Sequence, residues 1–331
     1  MSTGQRLLEV NDLFVQFPVP RGIVGAFRRA PRQTVKAVDG VSLHLDRGEM
    51  LALVGESGCG KTTTAQSILR MVEPTSGSVL LDGVDVTQHK PRQMRPLRRH
   101  MQMIYQDPYE SLDPRFRVRQ TIREPMQIHR LPGDRDTAVT FALERSGLVP
   151  TDLYSERYPH ELSGGQRQRV AIAASLVLSP SLLVADEPVS MLDVSVRAGI
   201  LGLLDGLRED GLGILMITHD LSTAAHFADR IAVMYLGRIV EQGDAKEVVR
   251  NPQHPYTKAL LSVVPPRDPR DRKTPQILQG ETPDAVRIPP GCRFNPRCPV
   301  AEDRCRIEDP VLHRPTSGQT SEGHEAACLL L

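Results

Sequence analysis

The chain has 331 residues, enough for one large α/β core and a smaller appended region. Lysine and arginine number 41 and aspartate and glutamate 40, a formal net charge of +1, so bulk charge does not favour a nucleic acid or an anionic membrane as partner. The longest apolar run, 170–178, is far shorter than the roughly 20 residues that span a bilayer. Residues 1–6 also lack the pattern of a secretory signal. We therefore expect the chain to stay in the cytosol and to reach a membrane only through a partner.

The first third of the chain predicts strands of different kinds. Residues 7–17 mix β-branched and aromatic residues with polar ones, which is typical of an edge strand. The basic stretch 18–32, punctuated by proline and glycine, predicts an exposed excursion. Residues 41–45 alternate like a half-buried strand, whereas 50–54 are continuously apolar, like a central strand covered on both faces. A helix at 62–71 and a strand and turn at 78–83 are expected to follow.

The central strand leads into a glycine loop with the sequence Gly55-Glu56-Ser57-Gly58-Cys59-Gly60-Lys61-Thr62. Its glycines let backbone N–H groups turn inward around phosphates, and the next helix presents its positive end. Lys61 can reach the β and γ phosphates of ATP, and Thr62 can place its hydroxyl on Mg²⁺. We count Thr63 with the loop and interpret Cys59 as a small filler. The loop therefore predicts an ATP site, and a chance glycine turn is the alternative.

From about residue 117 to 178 the pattern is helical, which predicts a helical subdomain at about 107–178, inserted in the sheet. Within it, Leu162-Ser163-Gly164-Gly165-Gln166 is a second glycine turn that opens a helix at 166–178. This turn has no lysine, so it cannot replace the first loop. Because a whole helical insert separates it from Lys61, we expect two chains to associate head to tail. Each ATP would then lie between the glycine loop of one chain and residues Ser163 to Gln166 of the other.

Polar residues follow three predicted strands. The buried strand 182–185 ends in Asp186-Glu187; we expect Asp186 to hold the metal through water and Glu187 to polarise the attacking water. The alternative interpretation is that Asp186 and Glu187 only cap the strand and start a turn. His219 follows the strand 213–217, at the sheet edge where open α/β folds bind ligands, and could hydrogen-bond the γ phosphate. Gln106 follows another strand and could touch Mg²⁺.

The last third predicts a hairpin, two short helices and a small module. Residues 231–235 and 238–241 form the hairpin, helices lie near Ala245 and Tyr256, and 265–290 is a linker rich in proline and charge. Four cysteines follow: Cys292, Cys298, Cys305 and Cys328. In a cytosolic protein such a cluster indicates a metal site more often than disulfides. The spacing lacks the C-x2-C of common zinc sites, and four thiolates can equally hold an iron–sulfur cluster. Four reduced thiols remain the alternative.

The order of these motifs resembles the ATP-binding-cassette (ABC) family over about residues 7–264. The resemblance implies an α/β fold, an ABC-type P-loop nucleotide-binding domain with a mostly parallel core sheet, an antiparallel edge sheet and an inserted helical subdomain, covering 1–264. It also implies that Asp193, in Ser190-Met191-Leu192-Asp193, communicates across the dimer, although Met191 replaces the usual alanine. Gln106 is then in the segment that senses the membrane subunits. An aromatic ahead of the first loop stacks on adenine in this family, and Phe17 is our candidate.

The C-terminal part, 265–331, is similar to the extension of ABC subunits of oligopeptide, dipeptide and nickel importers. The similarity rests on Pro290-Gly291-Cys292-Arg293-Phe294-Asn295-Pro296-Arg297-Cys298-Pro299, on 251–257 and on 189–196. It implies a [4Fe-4S] cluster on the four cysteines, with zinc as the alternative. It further implies an ATPase, peripheral on the cytoplasmic face of the membrane, that powers peptide import. The expected partners are two transmembrane permease subunits, a second ATPase subunit, identical or paralogous, and an extracytoplasmic substrate-binding protein.

Other functions remain as alternatives. An importer of nickel or another small solute would use the same motifs. An ABC ATPase of DNA repair or translation is less favoured, because 61–163 has no sustained heptad pattern and the chain carries one cassette. Phe27 is the one Phe, Tyr or Trp in the basic stretches 21–32 and 92–100, so they do not show the interleaved aromatics of a single-strand nucleic-acid surface, and we expect no nucleic-acid partner. A regulatory metal-binding protein would predict a degraded hydrolytic set, whereas Glu187 and His219 are both present.

Overall fold

The computed structural model describes residues 5–19, 33–264, 276–278, 280–315 and 323–331. Most of the predicted excursion at 18–32 and much of the predicted linker at 265–290 lie outside these ranges. The described strands are, in chain order, β1 Arg6–Pro18, β2 Thr34–Asp46, β3 Met50–Val54, β4 Ser76–Leu81, β5 Val84–Asp85, β6 Met101–Ile104, β7 Leu182–Asp186, β8 Gly213–Thr218, β9 Arg230–Tyr235, β10 Arg238–Asp244 and β11 Glu325–Ala326.

Helices alternate with these strands through most of the chain. They are α1 Lys61–Ile68, α2 Pro91–Leu97, α3 Pro108–Ser111, α4 Val118–Ile128, α5 Arg135–Arg145, α6 Thr151–Ser155, α7 Gly164–Leu176, α8 Val194–Glu209, α9 Leu221–Phe227, α10 Ala245–Arg250 and α11 Pro255–Ser262. The predicted α/β class is therefore confirmed. Among the helices in the described ranges, none combines the length and the apolar character needed to cross a bilayer.

Two compact units divide the chain. The first comprises residues 1–8, 45–50 and 81–217. In it β7 pairs in parallel with β6 on one side and with β8 on the other. All five residues of β7 are buried, as are all six of β8, which explains why both sequences are almost continuously apolar.

The predicted range 107–178 contains the five helices α3 to α7 of the first unit. In α4 the buried residues Val118, Ile122 and Met126 recur every four positions and so occupy one face of the helix. Val118 and Ile122 belong to a core shared by several of these helices, whose buried members are Leu112, Val118, Ile122, Val139, Ala142, Leu143, Leu148, Leu162, Val170 and Ala173. This packing stabilises helices that are too short to be stable alone.

The second unit comprises residues 9–44, 51–80 and 218–331. Strand β3, fully buried, pairs in parallel with β9, which forms the predicted antiparallel hairpin with β10 through Leu236-Gly237. The short strand β11 pairs antiparallel with β10, and in this register Glu241 lies opposite Ala326. The sequence gives no signal for β11, because a two-residue strand has no periodicity.

One strand prediction was wrong. Residues 7–17 do form a strand, β1, but it lies between β2 and β4 rather than at an edge. The Ser42 hydroxyl accepts from the Asp12 N–H at 2.9 Å on the β2 side, and on the β4 side the Thr75 N–H donates to the Phe14 carbonyl at 2.7 Å. Polar residues in β1 are therefore a consequence of one exposed face, which central and edge strands of such a sheet share.

Candidate functional site

The glycine loop lies in the second unit, between the buried strand β3 and helix α1. Lys61, the first residue of α1, is buried, and its ammonium group donates to the carbonyl oxygens of Gly55 at 2.7 Å and Glu56 at 2.9 Å. The loop thus wraps around its own lysine. Gly60 precedes the helix with φ 109° and supplies no side-chain cap. The first N–H groups of α1 therefore point out of the helix without an intrahelical acceptor, an arrangement that suits a phosphate.

Two glycines of the loop are required by close packing. A Cβ atom on Gly55 would overlap the Met234 carbonyl oxygen, and one on Gly60 would overlap the Ala37 carbonyl oxygen. Gly60 also needs its left-handed backbone, which other residues adopt only with strain. The loop and its surroundings therefore fit the predicted phosphate site, and Thr62 and Thr63 lie beside it in the first turn of α1.

Cys59 is buried within this loop. Burial raises the pKa of its thiol, and the nearby Lys61 opposes that effect without cancelling it. The thiol therefore stays protonated near neutral pH, as expected for the small filler that we predicted rather than for a nucleophile.

Gln106, Asp186 and Glu187 lie in the first unit, after the neighbouring parallel strands β6 and β7. The structure brings two of them together: the Gln106 amide nitrogen lies 3.4 Å from a carboxylate oxygen of Glu187. Asp186 is the buried last residue of β7. Glu187 has φ 45°, an unfavourable conformation for a residue with a Cβ, and its N–H donates to the Ile217 carbonyl at 2.9 Å. Strain of this kind concentrates at functional sites.

The second glycine turn is a capping box at the start of α7. The Ser163 hydroxyl accepts from the Gln166 N–H at 3.3 Å, and the Gln166 side chain accepts from the Ser163 N–H at 2.9 Å. Gly164 and Gly165 are the first two residues of the helix. Asp193, in the same unit, is the N-cap residue of α8. Ser163 and Gln166 therefore have a structural role at the start of α7 besides the predicted contact to ATP.

His219 and Phe17 lie in the second unit. His219 is exposed directly after β8, where the neighbouring Asp220 caps α9 by accepting from the Ser222 N–H at 2.9 Å. Phe17 is near the end of β1, and 40% of its surface is exposed. An aromatic ring that is accessible at a strand end could stack on a base, so this assignment stays a prediction.

The four C-terminal cysteines all carry free thiols. Burial raises the pKa of Cys292 to about 11, and the charges of the other three thiols add to that effect. The Cys292 N–H donates to the Cys305 carbonyl at 2.9 Å. Within the described ranges, however, no group of three or more His, Cys, Asp or Glu side chains is arranged to hold a metal ion. The structure therefore does not support the predicted [4Fe-4S] cluster or its zinc alternative.

One set of residues around the loop was missed. Tyr256, Thr282 and Arg297 all hydrogen-bond Glu56, from positions 200 to 241 residues away in the chain. No periodicity or spacing connects residues so far apart. Arg297 and Tyr256 lie in stretches that carry the family similarity, 290–299 and 251–257, but nothing in those stretches linked them to Glu56.

Comparison with known families and structures defines the class of protein to which this chain belongs. The family model described as ABC transporter matches residues 38–190. The ATP-binding cassette MJ0796, solved as a dimer in a post-hydrolysis state with ADP and Pi, matches with a TM-score of 0.62 and 26% identity over 72% of this chain and 99% of that one. The cbiO1 protein of Clostridium perfringens, part of the transporter complex cbiONQ, matches with a TM-score of 0.63 and 30% identity over 75% and 92%. The fold is that of an ABC ATPase.

Two further findings narrow the family. The model described as Oligopeptide/dipeptide transporter, C-terminal region, matches residues 240–305. The oligopeptide transport ATP-binding protein OppF of Escherichia coli is 44% identical over 98% of this chain and 96% of its own length. The corresponding protein AppF of Bacillus subtilis is 42% identical over 98% of each. The chain therefore belongs to the ATP-binding subunits of the oligopeptide/dipeptide/nickel importer family of ABC transporters, as the motifs predicted.

Proposed function

We propose that this chain hydrolyses ATP to power the import of peptides across the cytoplasmic membrane. The similarity to oligopeptide transport ATP-binding proteins extends over nearly the whole chain and includes the C-terminal region, which favours peptides over nickel as the substrate class. The contact between Gln106 and Glu187 carries the hydrolytic part of the proposal, because it joins a predicted Mg²⁺ ligand to the predicted catalytic base.

In this proposal the glycine loop holds the phosphates of ATP. The ammonium of Lys61 now donates to two loop carbonyls, and it turns to the β and γ phosphates when they are bound. Backbone N–H groups at the start of α1, including those of Thr62 and Thr63, donate to the same anion. Thr62, Gln106 and Asp186 are the residues that would hold Mg²⁺. The ion, when bound, neutralises charge on the phosphates.

Glu187 is proposed to orient and polarise the attacking water, and His219 to hydrogen-bond the γ phosphate. Gln106 holds the Glu187 carboxylate through its amide, which couples the base to the start of the helical subdomain. A movement of that subdomain would therefore change the position of the base. This coupling suits an enzyme in which hydrolysis and transport depend on each other.

Ser163, Gly164, Gly165, Gln166 and Asp193 are proposed to complete the ATP site of a second cassette. The dimeric state reported for MJ0796 supports a paired arrangement. The remaining partners in the proposal are two transmembrane permease subunits and an extracytoplasmic substrate-binding protein, with this chain peripheral on the cytoplasmic face of the membrane. No step is assigned to a metal on Cys292, Cys298, Cys305 and Cys328, because these residues do not form a metal-binding group among those described.

The test is ATP hydrolysis by the transporter purified from membranes with its partner subunits. We expect di- or oligopeptides, given with the binding protein, to stimulate turnover, and nickel to have no effect. Glu187→Gln should retain ATP binding and lose turnover by about a hundredfold or more, as loss of a catalytic base does. Glu144→Gln, an exposed change in α5, is the control and should hydrolyse ATP normally. Stimulation by nickel alone would overturn the peptide assignment, and normal turnover of Glu187→Gln would overturn the role of Glu187.

A further inference from the structure

Glu56, the second residue of the glycine loop, is held by three side chains from the C-terminal part of the second unit. Its carboxylate accepts from the Arg297 guanidinium at 2.8 and 3.2 Å, and from the Thr282 hydroxyl at 2.7 Å. Its backbone N–H donates to the Tyr256 hydroxyl at 2.9 Å. Both the backbone and the side chain of one loop residue are thus fixed by residues outside the nucleotide-binding motifs.

Arg297 is well placed to hold this position. Only 8% of its side chain is exposed, and its guanidinium also lies 5.9 Å from the centre of the Tyr235 ring and 3.2 Å from the Thr282 hydroxyl. Two parallel donors to one carboxylate fix direction as well as distance. Burial alone would raise the pKa of Glu56, but the hydrogen bonds from Arg297 and Thr282 bring it below its ordinary value. The pair is therefore fully charged at neutral pH.

A second arginine of the same segment is linked to the loop through the β9–β10 turn. Arg293 is buried and donates to the Leu236 carbonyl and to the Asp39 carboxylate. The next residue of that turn, Gly237, donates its N–H to the Cys59 carbonyl of the loop at 2.8 Å. Residues 293 to 297 therefore contact the loop directly at one end and through the β9–β10 turn at the other.

We propose that Arg297, with Thr282, is a positioning residue for ATP binding, and that the C-terminal module is thereby a working part of the nucleotide site. The inference rests on the proposed role of the glycine loop. Arg297 holds the Glu56 side chain while Tyr256 holds its backbone N–H, so that the loop carbonyls hold Lys61 ready for phosphate. It also neutralises a carboxylate that would otherwise repel an anionic ligand of the loop. Without Arg297 the loop loses an anchor and gains an uncompensated negative charge.

The experiment measures Mg·ATP affinity and steady-state hydrolysis for the full chain in its transporter complex. Because loss of a charge-assisted hydrogen-bond pair is involved, we expect Arg297→Ala to raise the Kd and KM for ATP about tenfold, with kcat changed less than about twofold. Arg306→Ala is the matched control, since Arg306 belongs to the same module and, within the described ranges, its guanidinium pairs with the exposed Asp303 at 3.7 Å. Its ATP affinity should equal that of the wild type. Wild-type affinity in a folded Arg297→Ala protein would overturn the inference.

Milder variants keep the test decisive if Arg297→Ala does not fold. Arg297→Lys keeps the charge but loses the paired donors, and Thr282→Val removes one donor without changing charge. Each should raise the Kd for ATP about two- to fivefold, and unchanged affinity in both would refute the inference. Glu56→Gln in the Arg297→Ala background should restore part of the affinity, because it removes the carboxylate that the lost guanidinium leaves uncompensated; a purely structural role of Arg297 would give no restoration.

Lys61→Ala separates this inference from the proposed function. If Lys61→Ala binds ATP as the wild type does, the role of the loop itself is wrong. If Lys61→Ala loses ATP binding while every Arg297 and Thr282 variant retains it, the loop holds ATP and only the positioning role fails.

Discussion

The imidazole of His254 is fully buried at the start of α11. Burial lowers its pKa from 6.5 to about 4; the negative charge of Glu241 opposes this effect, and the positive charge of Lys258 adds to it. The ring nitrogen Nδ1 accepts from the Tyr256 N–H at 3.1 Å, which requires that this nitrogen carry no proton. The backbone N–H of His254 in turn donates to the Glu241 carboxylate at 2.9 Å. Protonation of His254 would therefore break a cap in the interior of the second unit.

This burial predicts a loss of stability in acid. Because the pKa of His254 is lower in the folded chain, the unfolded chain binds the extra proton between pH 6.5 and about 4. The stabilisation is complete above pH 6.5 and is lost as the pH falls through that window. Urea unfolding at about pH 7.5 and about pH 5 should show it. His254→Asn, whose side-chain oxygen can replace the cap, should reduce the pH dependence, and an unchanged dependence would show that His254 is not its source.

At the scale of elements, helix α7 packs closely against α8. A Cβ atom on Gly165 of α7 would overlap Cγ1 of Val196 in α8. The glycine therefore allows the first turn of α7, with its capping box, to lie against its neighbour. Farther along α8, Gly202 and Gly206 have free space, since nothing lies within 4 Å of a Cβ placed on either.

Gly165→Ala is expected to lower the free energy of unfolding by about 1–2 kcal/mol, because overpacking costs more than the helix propensity gained. Gly202→Ala, the matched change in α8, should instead raise it by up to about 1 kcal/mol. Chemical denaturation of both variants measures the difference. Val196→Ala combined with Gly165→Ala should recover most of the loss. If Gly165→Ala unfolds at the same denaturant concentration as the wild type, the contact does not constrain the helix.

The sequence predicted which strands and helices form better than it predicted which of them lie next to each other. The strands β3, β7 and β8 and the β9–β10 hairpin could be predicted because burial on both faces, or a tight turn, leaves a local pattern. The position of β1 in its sheet could not be predicted, since it depends on pairing with strands that are distant in sequence. The same limit applies to the site. The Gly55–Thr62 loop is contiguous and was found, but Arg297 reaches Glu56 across 241 residues without any shared pattern.

At the scale of the whole molecule, the two glycine turns belong to different units of the chain. The Gly55–Thr62 loop is in the second unit and the Ser163–Gln166 turn in the first. The turn caps its own helix, so a change at Ser163 acts on stability and, if our proposal holds, on the ATP site of a second cassette. A useful test must separate these two effects.

Asp134 provides the control, because it caps α5 in the same unit by accepting from the Asp136 N–H at 3.1 Å. Ser163→Ala and Asp134→Ala should each lower the free energy of unfolding by about 1 kcal/mol through loss of an N-cap. In the transporter purified with its partner subunits, both should bind ATP like the wild type. Only Ser163→Ala should lose turnover, by about tenfold or more, because a donor to the partner's phosphates is missing in the transition state. Equal turnover in the two variants would mean that Ser163 serves only its helix and that the shared-site arrangement is wrong.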